Sequence, residues 1–96
     1  MSRTLLDLES FLELSEAMAG AAVAQEWESL VEIGEQRGVL ANQLPADLGA
    51  TLPPAEQAHA RTIIEHCQQL DTQTRSLVEE RQNALRVLLR EPDSPR

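Results

Sequence analysis

Apolar residues recur at three- and four-residue steps along most of the chain. In the first half they include Leu5, Leu8, Phe11, Leu12, Met18, Ala22, Val23, Trp27, Leu30, Ile33, Leu40 and Leu44, with Ser15 and Arg37 standing in the gap. That spacing predicts a helical first arm over 4–43. Thr4, with Asp7 three residues on, is the expected N-cap. Gly20 sits in a run of small residues over 18–24, which predicts a kink or break at 20–26. Three of the five prolines and a glycine fall within 44–54, so no long helix crosses that stretch and it is assigned as a loop. A second arm follows over 54–90, opened by Pro53-Pro54. Its core stripe is Ala60, Ile63, Cys67, Leu70, Thr74, Leu77, Arg81, Ala84 and Leu88. The rest, 91–96, is a polar tail with two prolines.

These arms set the architecture. At roughly 1.5 Å per residue each would reach about 55–60 Å as an unbroken helix. Joined by a short Pro/Gly loop, they predict one elongated all-α domain over 1–96. It is an antiparallel helical hairpin, or a three-helix bundle if the first arm breaks. The second arm also carries an additional apolar line, Ile64, Val78 and Leu85, continued by Leu89. A two-helix seam needs only a narrow stripe, so this surplus must be covered by a third helix, a second subunit or a client chain. Ile64, Val78, Leu85 and Leu89 are therefore the candidate partner-binding residues. Trp27, the largest apolar group, is either a core residue or an interface anchor.

Composition narrows the class. Fifteen Leu and twelve Ala dominate the apolar fraction, Phe11 and Trp27 are the only aromatics, and this favours helices over a sheet. Sixteen acidic residues against eight Arg, with no Lys, give a net charge of −8. Such a chain repels phosphate backbones and anionic headgroups, which argues against nucleic acid and lipid as partners. Residues 4–36 hold eight acids and no base, a solvated face or one that steers a basic partner. The single Cys67, the lack of a signal-peptide core and the lack of a long apolar run predict a cytosolic protein without membrane insertion.

Candidate chemistry is sparse. Glu56 and His59 make one Glu-x-x-His pair, whereas a di-iron bundle needs two such pairs and two further Glu. His59 and His66 stand about 10.5 Å apart along a helix, too far to share an ion. Cys67 lies in the core stripe, as a small packed hydrophobe. No nucleophile triad, phosphate loop, zinc motif or cofactor fingerprint occurs. A small helical chorismate mutase would need inward cations for its dicarboxylate substrate. Arg81 is the cation expected to point inward, paired with a Glu of the first arm. No enzyme, metal site or cofactor is expected.

Trp27-Glu28-Ser29-Leu30, followed by Glu35, Arg37, Leu40 and Leu44, resembles the first half of FliT-type flagellar export chaperones. Ile63-Ile64, Leu70-Asp71, Leu77, Arg81, Leu85 and Leu88-Leu89 are similar to that family's long helix. FlgN-type chaperones are a near alternative. The resemblance spans about 5–90 and implies a non-enzymatic cytosolic protein. Such a protein binds the filament-cap protein FliD and holds it soluble and export-competent for the flagellar type III apparatus. In some members the family also contacts the export ATPase complex and a master transcription regulator. Fuller-length members add a C-terminal helix that can cover the binding surface, where this sequence has its polar tail. The alternative function is a structural coiled-coil homodimer or adaptor without a secretion client.

Overall fold

A computed structural model of the protein describes residues 2–89. Three long helices, α1 (Arg3–Val23), α2 (Trp27–Gln43) and α4 (Pro54–Leu89), enclose the core, and a single turn, α3 (Leu48–Thr51), lies in the last connection. There is no strand among the described residues, and the molecule is a rod of 65 × 22 × 20 Å. The architecture is the all-α bundle expected.

Helix α1 starts at Ser2, whose hydroxyl accepts from the Leu5 N–H at 3.1 Å, so the cap is Ser2 and not Thr4. Its inward face follows the 3-4-3-4 rhythm of Leu5, Leu8, Leu12, Ser15, Ala19 and Ala22. The first half of this seam is large and the second half small. Small side chains let neighbouring helices approach closely, so packing at that end relies on the residues the neighbours bring. Val23, placed in the stripe by its spacing, is instead 60% exposed.

The helix is ended by its own backbone. Gln25 N–H donates to Ala22 O at 3.1 Å and Glu26 N–H to Ala21 O at 2.8 Å, while Gln25 adopts φ 61°. That pair of bonds, with a left-handed residue between, is a Schellman cap, here carrying glutamine where glycine is usual. Gly20, the sequence's own suspect, stays inside α1.

Helix α2 runs back along α1. Its end at Gln43 is forced by Pro45, since the residue before a proline is driven out of the helical region. Leu44, Leu48 and Leu52 then fold across the base of the bundle, and Leu52 is 5% exposed among Leu5, Leu8, Ala60, Ile63 and Cys67. The connection is a plug as much as a link.

Helix α4 is parallel to α1. Ser2 N–H donates to Glu56 Oε1 at 3.3 Å and Glu9 meets His59 at 3.2 Å at one end, while Ala21 and Ala22 pack with Leu77 and Val78 towards the other. Ala60, Ile63, Cys67 and Thr74 of the expected stripe are buried and Leu70 and Leu77 half-buried. Arg81, Ala84 and Leu88 are exposed. The reason is length: α1 turns back after Val23, and α4 outruns it.

Candidate functional site

Two apolar clusters make the core, one around Leu5, Leu8, Ile63 and Leu52, the other around Ala21, Ala22 and Leu30. Between them lies a polar layer. The Arg37 guanidinium donates to Ser15 Oγ at 3.0 Å and to the Asp71 carboxylate, and stands over the Phe11 ring at 5.0 Å. Ser15 is 1% exposed, so this layer joins α1, α2 and α4 at mid-length. Arg37 is therefore the cation turned inward. Arg81 is exposed, and in place of the expected ion pair with a first-arm Glu its guanidinium lies 4.9 Å from the Trp27 ring centroid. At position 81 the stripe of α4 has run past the end of α1 and meets the Trp27 ring at the start of α2, with the guanidinium left exposed.

Burial pushes the Cys67 thiol up from its ordinary value, with hydrogen bonding from Ser15 partly offsetting it. A neutral, 6% exposed thiol is a poor nucleophile. Glu56 and His59 are spent on joining α4 to α1, through Ser2 and Glu9 respectively. Among the described residues no group of three or more His, Cys, Asp or Glu is arranged to hold a metal ion, and no helix is long and apolar enough to cross a membrane.

The surface that remains is the far end of α4. Every residue from Glu79 to Leu89 is exposed, and Val87, Leu88 and Leu89 are 64%, 77% and 82% exposed. At the root of this overhang is a concavity of about 320 Å³ whose walls include Ala22, Trp27, Leu77, Arg81 and Leu85. Trp27, the first residue of α2, is half-buried against the Ala21–Ala22–Leu30 cluster and offers the rest of its ring to this hollow.

The candidate partner-binding residues divide accordingly. Leu85, at 37% exposure, lines the concavity with Trp27, and Leu89 lies one turn further along the bare helix. Val78 is half-buried against the second core cluster. Ile64 packs on the first cluster and lines a different hollow of about 370 Å³ with Leu48, Leu52 and Ala60. Some 30 Å of helix separates Ile64 from Leu85. Thus Trp27, Leu85 and Leu89 share one end, and Ile64 lies at the other. Sequence reasoning missed the exposure of Val87 and Leu88, which only the length of α1 reveals.

Among the described residues the chain is an all-α three-helix bundle whose longest helix, α4, exposes apolar side chains at one end. The family comparison is specific: the model for the flagellar protein FliT matches residues 5–93, and the chain belongs to that family. It is a family of flagellar export chaperones rather than of enzymes. No curated protein and no solved structure matches the chain.

Proposed function

We propose that this flagellar export chaperone acts in the cytosol, binds the filament-cap protein FliD and keeps it soluble until it is handed to the export apparatus, including the export ATPase complex. The observation that carries the reading is the uncovered end of α4, where Leu85, Leu88 and Leu89 extend beyond α1 beside a half-buried Trp27. An amphipathic client helix laid along this end would bury its apolar face against those leucines, with Trp27 as the anchor. Val78 and Ile64 extend the same line towards the base and contribute by supporting the packed helix. The acidic face over residues 7–35 keeps the complex in solution and favours a client with basic flanks.

The test is binding of a FliD C-terminal segment, followed by calorimetry. Leu85→Asp with Leu89→Asp should abolish binding, a loss of at least about 3 kcal/mol, while the circular dichroism stays that of the parent because both sites are already exposed. Equal binding by parent and variant would reject this surface. The same leucines also suit a homodimer seam, the alternative reading. Light scattering separates the two, since a dimer that persists at nanomolar dilution and ignores FliD favours the structural module.

A further inference from the structure

Helix α2 is held unevenly. Of its seventeen residues only Leu30 is buried, and Val31 and Val39 are each 61% exposed. Trp27, Leu30 and Ile33 fix its first half in the second core cluster. Its second half contains Gly34 and Gly38, residues that weaken a helix interior. Packing requires neither: a methyl group on Gly38 would meet open space, and one on Gly34 would make ordinary contact with Met18 Cε at 3.6 Å. Arg37 lies between these glycines and joins both other helices, through Ser15 on α1 and Asp71 on α4.

We propose that residues 34–43 form a strap that opens locally and that Arg37 is its clasp. With the clasp closed, the strap covers Phe11, Ser15 and Met18 on α1 and Asp71 on α4. Opening bares that trough while α1 and α4 stay zipped through Leu5, Leu8 and Ile63, with Phe11 at the edge of that cluster and Cys67 beside Ser15. Trp27 and Leu30 remain docked, so the opening runs between Gly34 and the anchor at Leu44. The chain thereby holds a conformational device distinct from the exposed end of α4, and the inference does not rest on what binds there. Local opening of this kind draws on elements with few buried apolar contacts.

Native-state hydrogen exchange on the full chain tests it. Amides of residues 34–43 should exchange well ahead of those of residues 60–77. Arg37→Met keeps an unbranched apolar stem and deletes the guanidinium with its bonds. It should accelerate exchange in 34–43 by roughly ten- to a hundredfold and leave 60–77 as in the parent. The double variant Gly34→Ala, Gly38→Ala should do the reverse, slowing exchange in 34–43 alone. The proposal is overturned if 34–43 and 60–77 exchange together in the parent, if Arg37→Met accelerates both equally or neither, or if the alanine pair leaves the strap's exchange unchanged.

Discussion

Gln25 holds a backbone conformation that costs an L-residue roughly 1 kcal/mol, and it does so to end α1 and admit α2. Replacing it with glycine should therefore stabilise the fold by up to about 0.5 kcal/mol, after the greater freedom of glycine in the unfolded chain is deducted. Urea unfolding would show a higher midpoint at unchanged slope. Thr74 is a second such site. Its Oγ1 is buried and has no hydrogen-bond partner among the described residues, although Thr62 and Thr72 on the same helix each bond the carbonyl four residues back. Thr74→Val keeps the shape and removes the stranded hydroxyl, and should raise stability by about 1 kcal/mol, read as a Tm increase. Glutamine at a left-handed position also explains why the break in the first arm is hard to place from sequence. The usual marker, glycine, sits at position 20 inside the helix, while the residue that makes the turn has no preference for it.

At the level of helices, the periodic stripe on α4 was legible through Leu77 and misleading beyond it. A stripe records which residues suit a neighbour, whereas burial also depends on how far that neighbour extends. Leu8 and Ile63 find each other because both helices are present; Ala84 and Leu88 have the same spacing and face water. Leu44, Leu48 and Leu52 show the opposite error. Pro and Gly mark a connection in the sequence, yet three leucines four residues apart within it close the base of the bundle. The polar residues in the first arm's stripe were visible as gaps, Ser15 and Arg37, but a gap does not state that the two meet, and Asp71 completes the layer from a helix read separately. Of the binding candidates, spacing alone aligned Ile64 with Leu85 and could not show that one end of the line is packed and the other bare.

Across the whole molecule the charge is lopsided and large for its size. A net of −8 on a rod 65 Å long places many like charges within a few Debye lengths of one another. The exposed carboxylates of Glu13, Glu16, Glu26, Glu28, Glu32 and Glu35 line the α1–α2 side, and pairs such as Arg3 with Asp7, long at 3.9 Å and with the arginine exposed, are weak. Self-repulsion should therefore oppose folding more than these pairs support it. Raising sodium chloride from low concentration to about 0.5 M, where the Debye length falls to roughly 4 Å, is expected to increase Tm. A decrease would mean that attractive surface pairs dominate.

Because α1 and α4 point the same way, both begin at the base of the bundle, tied through Ser2 and Glu56, and the bare leucines stand at the opposite tip. A bead, fluorophore or fusion attached ahead of Ser2 is thus held away from Leu85 and Leu89 by most of the molecule's length. Surface immobilisation from that side presents the tip outward to whatever is flowed across it, and a label on α4 beyond Arg81 would stand in its way.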